Sequence, residues 1–240
     1  MPYKIAHLNI RGTGDTPTNA NILISYMKKN KIDFLSLSET KTTTRNLPFF
    51  FSDNITTHPN QHPSKQALKG VITLISPSLS SHLVSQTNII PGHCTKSTFK
   101  IQDNNLNIFS LYGPNDPNVI PFLDQILNDK YLDNNENNMF IGDWNLLQDI
   151  EIDRNTNTKY PKITSTNKLT QIKEEYSLVD PWRQSNPSDT LAPWKDTGTY
   201  SWSSNPNNPK HPIKKSRIDY ALTNDYLYPL ITSTEYLPSQ

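Results

Sequence analysis

The chain has 240 residues, with 23 Lys and Arg against 22 Asp and Glu, for a formal net charge of +1. That length suits one large domain or two small ones able to bury a core without staples, and the near-zero charge does not by itself announce a polyanionic partner. The single cysteine, Cys94, excludes a disulfide framework and a cysteine-based zinc site and fits a reducing compartment, while the absence of any apolar run longer than a strand points to a soluble protein with neither secretory signal nor membrane span.

Residues 3–9 alternate as a strand around Ile5 and Leu8 and run into a polar stretch containing Gly12 and Gly14. A helix is expected over residues 19–30, because Ile22 with Tyr26 and Leu23 with Met27 repeat at four-residue spacing and Lys28, Lys29 and Lys31 gather at its end. Residues 33–37 read as a second strand that stops at Ser38-Glu39-Thr40, giving a strand, helix, strand unit. Segments 70–75, 83–90, 95–101 and 106–112 are short and β-type, separated by turn residues, and suggest antiparallel hairpins with a tight turn at Asp103-Asn104-Asn105. A helix is expected over 118–131, with Phe122 and Ile126, and Leu123 and Leu127, on a common face. A strand at 139–141 comes next, then a helix over 166–176 capped by Thr164 or Ser165, and a last strong strand over 217–222. No shift in composition divides the chain, so a single domain of mixed α/β type is expected over residues 1–240.

The stretch Met139-Phe140-Ile141-Gly142-Asp143-Trp144-Asn145 carries the most chemistry. Positions i and i+2 of a strand point the same way, so Asp143 and Asn145 are able to face one site while Trp144 packs behind them; the alternative is a plain polar turn. Acids and amides recur at the ends of the expected strands, at Asn9, at Glu39, at Tyr112 with Asn115, at Asp143 with Asn145 and at Asp219. In sheet-based enzymes residues from distant parts of the chain converge there. Near the C-terminus Lys210, His211, Lys214, Lys215 and Arg217 fall within eight residues, either as a phosphate-contacting loop or as a solvated one.

In this order, Asn9, Ser38-Glu39-Thr40-Lys41, Leu111-Tyr112-Gly113-Pro114-Asn115, Gly142-Asp143-Trp144-Asn145, Tyr200-Ser201-Trp202 and Ser216-Arg217-Ile218-Asp219-Tyr220 resemble the endonuclease/exonuclease/phosphatase superfamily. With Leu178-Val179-Asp180-Pro181-Trp182-Arg183 they are most similar to the apurinic-endonuclease-like domain of LINE-type (non-LTR) retrotransposons. The resemblance implies an α/β (α+β) fold, a four-layer sandwich of two mixed β-sheets flanked by helices. It also implies a Mg²⁺-dependent phosphodiesterase, with Mn²⁺ as a substitute, that nicks DNA to leave a 3′-hydroxyl primer. Glu39 would be the main metal ligand with Asn9 helping to hold the metal or the substrate phosphate, Asp143 would orient or deprotonate the attacking water, and Asn145 would bond a phosphate oxygen or that carboxylate. Tyr112 and Asn115 would contact the scissile phosphate, Asp219 would orient a catalytic histidine, and Trp202 would either flank the substrate groove or fill core. The basic loop, with Lys214, Lys215 and Arg217, would contact a polyanionic substrate.

The family pattern ends in Ser-Asp-His about twenty residues after the Arg-Ile-Asp strand, and no histidine follows Asp219 here. His7, His58, His62, His82, His93 and His211 all lie upstream, and none matches the motif. The expectation is therefore a domain truncated before that motif, without its last strand and impaired in catalysis. The alternatives are another phosphoesterase of the same fold, acting on abasic sites, RNA or inositol phosphates, and a catalytically dead nucleic-acid-binding module. DNA is the expected partner, with a reverse transcriptase domain C-terminal in a full-length protein, no membrane, and an intracellular location, nuclear or cytoplasmic.

Overall fold

The computed structural model describes residues 2–12, 17–41, 55–61, 70–115, 119–128, 130–133, 135–155, 162–187, 201–203 and 215–236. Strand β1 (Ile5–Asn9), helix α1 (Pro17–Asn30) and β2 (Phe34–Ser38) form a crossover unit, with β1 and β2 parallel and Asn9 registered on Ser38. β3 (Thr56–Gln61) and β4 (Gly70–Ile75) complete a four-stranded sheet in the order β1-β2-β4-β3. A short helix, α2 (Pro77–Ser80), capped by the Ser76 hydroxyl, leads to the hairpin strands β5 (Leu83–Ile90), β6 (Cys94–Ile101) and β7 (Asn104–Tyr112). After α3 (Ile120–Ile126), β8 (Asn137–Asp143) joins parallel to β7. Helices α4 (Ile163–Glu175) and α5 (Pro181–Ser185) come next, then the small ribbon β9 (Trp202–Ser203) and β10 (Lys215–Ser216). β11 (Asp219–Thr223) pairs antiparallel to β8, giving a second, five-stranded sheet in the order β11-β8-β7-β6-β5.

Both sheets are mixed, and three apolar layers separate four structural layers, in agreement with the expected sandwich. Ala20, Leu23, Ile24 and Met27 of α1 pack on Leu35, Leu37, Ile72 and Leu74 from one face of the first sheet. Phe122, Leu123 and Ile126 of α3 and Leu169 and Ile172 of α4 pack on Phe109, Phe140 and Leu222 of the second. Between the sheets lie Ile5, Phe34, Ile75, Phe99, Ile108, Met139, Ile141 and Ala221. The period of two along each strand places further residues on that inner face: His7 and Asn9 after Ile5, Ser36 and Ser38 after Phe34, Ser110 and Tyr112 after Ile108, and Asp143 after Ile141. On β11, which runs the other way, Asp219 precedes Ala221. The inner layer thus grades from apolar to polar along the strands, and the polar end is the candidate site.

Several local expectations are corrected. Of the two rows expected on α1, Leu23 and Met27 are buried but Ile22 is 60% exposed. The turn after β6 sits at Gln102-Asp103, with Gln102 left-handed at φ 54°, so Asn104 and Asn105 already belong to β7. Helix α4 begins at Ile163 behind Lys162, which makes no side-chain cap, and Thr164 and Ser165 lie inside the helix. Gly142 and Asp143 continue β8 instead of turning away.

Candidate active site

Register assembles the site. Asp143, last in β8, has Tyr112 beside it across the parallel pair and Asp219 opposite it on β11. This juxtaposition demands close backbone approach at two glycines. A Cβ on Gly142 would stand 2.2 Å from the Leu111 carbonyl oxygen, and one on Gly113 would stand 2.0 Å from that of Trp144. Gly113 instead donates its N–H to Asp143 O at 2.7 Å, locking the turn after β7 against the end of β8. Trp144 is buried behind the acid, stacked on Tyr220 at 5.1 Å and donating Nε1–H to Tyr220 O at 3.1 Å.

The two sheets meet in a hydrogen-bonded set of acids and amides. Asn9 Nδ2 donates to Asp143 Oδ2 at 2.8 Å and to Glu39 Oε1 at 3.2 Å, so one amide bridges the carboxylates of both sheets. Asn9 Oδ1 accepts the Arg11 N–H at 3.0 Å, which fixes the amide's orientation. Lys41 Nζ lies 3.2 Å from Glu39 Oε2. Asp143 Oδ1 accepts the Asn145 N–H at 2.9 Å, while Asn145 Nδ2 donates to Gly113 O at 3.0 Å. Asn145, Glu39 and Arg11 each sit one or two residues past a strand end with positive φ, at 48°, 52° and 49°. Left-handed backbone is costly for Glu and Arg, and such strain gathers where side chains must be aimed at a site.

Electrostatics follow from crowding acids in a half-dry space. Asp143 is 1% exposed, and burial first, then the Asp219 charge, hold its carboxyl well above the usual range, with Glu39 adding to the push. The hydrogen bonds from Asn145 and Asn9 oppose this without cancelling it. The Tyr112 phenol is likewise pushed up, by burial and then by Glu39 and Asp143, so it keeps its proton as a donor. Asn115, exposed, donates Nδ2–H to Tyr112 OH at 3.4 Å. A buried carboxylate with a raised pKa beside a protonated phenol and fixed amides is suited to accepting a proton from water next to a charged substrate.

The remaining expected residues separate. Arg217 is 3% exposed and turns inward: Nη2 donates to Asp180 Oδ2 at 2.5 Å, Nε to Tyr236 OH at 2.7 Å, and Nη1 lies 3.7 Å from Asp153. It is a cation of the interior, not of a substrate groove. Lys215 is half-buried in β10, where its N–H donates to Asn155 Oδ1 at 2.6 Å. Trp202 contributes backbone to β9, and its side chain, like Lys214 and His211, lies outside the described residues.

The whole-chain match decides the family. A model of the endonuclease/exonuclease/phosphatase family fits residues 6–239. The chain belongs to that family. It is 30% identical over 125 residues to the transposon TX1 uncharacterized 149 kDa protein of Xenopus laevis, a match covering 51% of this chain and 9% of that protein. The endonuclease/exonuclease/phosphatase fold is seen again in the AP endonuclease LMAP of Leishmania major, with TM-score 0.69, 15% identity and coverage of 95% of this chain and 80% of that one. The endonuclease domain of TRAS1, a telomere-specific non-LTR retrotransposon, gives TM-score 0.66 at 12% identity, covering 97% and 90%. The Xenopus laevis APE2 catalytic domain gives 0.68 at 15%, covering 93% and 82%.

Sequence reasoning missed residues that this family member places at its acids. Asp219, expected to lack an imidazole, has one: His7 Nε2 lies 3.1 Å from its Oδ1. The signal was available, since His7 stands two before Asn9 on a strand and must share its face. Ser201, inside a quoted motif, accepts the N–H of both Ile218 and Asp219 at 3.0 Å. Lys162 reaches from the start of α4 to donate to the carbonyls of Asn145 at 2.6 Å and Pro114 at 3.1 Å, tying together the loops that carry Asn145 and Asn115. No pattern in the sequence distinguishes that lysine.

Proposed function

We propose that the chain is a Mg²⁺-dependent endonuclease acting on DNA, nicking one strand to leave a 3′-hydroxyl of the kind that primes reverse transcription. The observation that carries this reading is the Asn9 amide bridging Glu39 and Asp143, with Asp219 and Tyr112 flanking Asp143. Three carboxylates, Glu39, Asp143 and Asp219, share one polar end of the inner layer, and carboxylate oxygens fit a hard divalent cation better than a soft one. Mg²⁺ keeps most of its waters and takes one or two carboxylates, so it needs no cage built wholly of side chains. Glu39 would hold the metal, with Asn9 beside it, and Mn²⁺ would substitute. Bound there, the cation would polarise a phosphate oxygen and offset charge growing on it.

The chain's own residues supply the rest. Asp143 accepts the proton of the attacking water, held in place by the N–H of Asn145 and the amide of Asn9. Tyr112 donates its phenolic proton to a phosphate oxygen, and Asn115 orients that phenol. Glu39 is partly neutralised by Lys41, which keeps the site from excluding a phosphodiester outright. The transposon name and 149 kDa size of the Xenopus relative support a further expectation, that the domain works within a longer transposon protein; a reverse transcriptase C-terminal to it belongs to the same proposal. No described helix is long and apolar enough to cross a membrane.

One observation favours a second reading, a nucleic-acid-binding module with slow or no turnover: the Glu39 carboxylate, which would hold the metal, is already paired with Lys41 at 3.2 Å. Incubation of supercoiled plasmid with Mg²⁺, and then polymerase extension from any nick, separates the two. The endonuclease reading expects open circles that a polymerase extends, lost with chelator. Plasmid that stays supercoiled while being retarded on a gel would favour the binding module. Cleavage confined to abasic oligonucleotides would move the substrate assignment to damaged DNA.

A further inference from the structure

We propose that His7 is a positioning residue of this site: its imidazole, reaching from the first sheet, holds the Asp219 carboxylate of the second sheet in place beside Asp143. The inference rests on the phosphodiesterase reading above and deepens it.

His7 lies on the inner face of β1 between Ile5, which belongs to the inter-sheet core, and Asn9, which belongs to the site. Its side chain is 7% exposed. A buried imidazole needs a partner at each nitrogen, and both are present: Nδ1 is 3.4 Å from Ser36 Oγ and Nε2 is 3.1 Å from Asp219 Oδ1. Ser38 Oγ stands 3.5 Å from Nε2 on the same side. The chemistry of the partners selects the tautomer. A carboxylate oxygen accepts only, so Nε2 carries a proton and donates it, while the Ser36 hydroxyl, able to donate or accept, completes the pairing at Nδ1. The reverse tautomer would set the Nε2 lone pair against the Asp219 oxygen.

The other anchors of Asp219 act on its backbone. Its N–H donates to Ser201 Oγ at 3.0 Å and its carbonyl accepts the Tyr236 hydroxyl at 2.8 Å. Among the described residues His7 is the group that grips the carboxylate itself. Without that grip the Asp219 carboxylate is free to rotate about its side-chain bonds toward the other acids of the cluster, Asp143 and Glu39. The serines behind the imidazole make it a relay of orientation: β2 fixes His7, and His7 fixes β11. Partners that orient a site residue commonly matter by about 10- to 100-fold in activity.

The test combines turnover with a signature that a merely structural role would not produce. In plasmid nicking, His7→Ala is expected to lower kcat by about 10- to 100-fold with KM within about threefold, because substrate contacts are untouched. His7→Gln, whose terminal amide N–H reaches the place of Nε2, is expected to recover most of that loss. Asp219→Ala with His7→Ala should cost no more than Asp219→Ala alone. Imidazole nitrogen NMR of the wild-type chain should show His7 protonated at Nε2, and Asp219→Ala should disturb that signal. A His7→Ala enzyme as fast as wild type, next to a dead Glu39→Ala, would overturn the proposal and leave the phosphodiesterase reading standing. The opposite tautomer, or one indifferent to Asp219→Ala, would overturn it too, whatever the turnover. Equal nicking by Glu39→Ala and wild type would remove the reading on which it rests.

Discussion

Replacing Arg217 with alanine removes a guanidinium shared by two buried acids. Its guanidinium bonds Asp180, lies 3.7 Å from Asp153, and sits 5.1 to 5.4 Å from the ring centres of Trp182, Tyr220 and Tyr236. Asp180 and Asp153 are 4% and 1% exposed, so neither gains water when the guanidinium goes. Asp153 keeps Arg183, but Asp180 loses its only ion-pair partner among the described residues. Breaking a buried pair by removing one member costs about 3–5 kcal/mol. For a domain of this size each kcal/mol moves Tm by roughly 2–4 °C, so the loss should be roughly 6–20 °C. The sign with pH follows from Asp180. Burial alone would raise its carboxyl, but the Arg217 charge and the hydrogen bonds from Arg183, Arg217 and Gln148 bring it below the ordinary range. A lowered acid contributes stability above its unfolded value that fades as pH falls through the folded one. The gap between wild type and Arg217→Ala should therefore be widest near neutrality and narrow in acid. Thermal melts at several pH values read this directly. An unchanged Tm with weakened DNA binding would refute the interior role and return Arg217 to the substrate path.

Asp143→Asn should abolish most turnover while improving the protein's relative stability as pH rises. The Asp143 carboxyl is held high by burial and then by Asp219, so the stability it contributes is present at low pH and lost as pH climbs through its folded value. The difference in Tm, variant minus wild type, should grow from acid toward neutral pH; a constant or shrinking difference would contradict this. Gly113→Ala puts a methyl group 2.0 Å from the Trp144 carbonyl oxygen and 2.5 Å from its carbon, backbone atoms with no freedom to retreat. Loss of several kcal/mol, on the order of overpacking combined with a broken Gly113 to Asp143 bond, is expected in denaturant unfolding. Tyr112→Phe should leave Tm nearly unchanged, because the hydroxyl's one described partner is Asn115 at 3.4 Å, yet lower kcat by at least about tenfold.

How far the sequence reveals this arrangement depends on whether a feature is periodic or merely proximal. The β8 stretch is readable because a run of apolar residues ending in Gly-Asp has one economical placement, and Asp143 with Trp144 behind it follows from alternation. Strand β3, Thr-Thr-His-Pro-Asn-Gln, carries no β signature and a proline in its middle; it exists because an edge strand needs to satisfy only one neighbour. Arg217 reads as part of the basic loop because of its neighbours in sequence, although its true partners, Asp153 and Asp180, are distant along the chain and carry no pattern. His7 escapes any search for a motif after Asp219, because the packing of one sheet on the other brings β1 to the same place from the other end of the chain. The acid and amide cluster itself is legible as an ordered set of strand ends, and its geometry, one amide linking Glu39 and Asp143, is not.

The central claim is that these strand ends form one phosphodiesterase centre, and single-turnover nicking of supercoiled plasmid in Mg²⁺ tests it most directly when wild type, Glu39→Ala and Asp143→Asn are compared with their DNA affinities measured alongside. Rates lower by about 10²–10⁴-fold in both variants, with DNA binding little changed, are the predicted result. Nicking by both variants at the wild-type rate would contradict it.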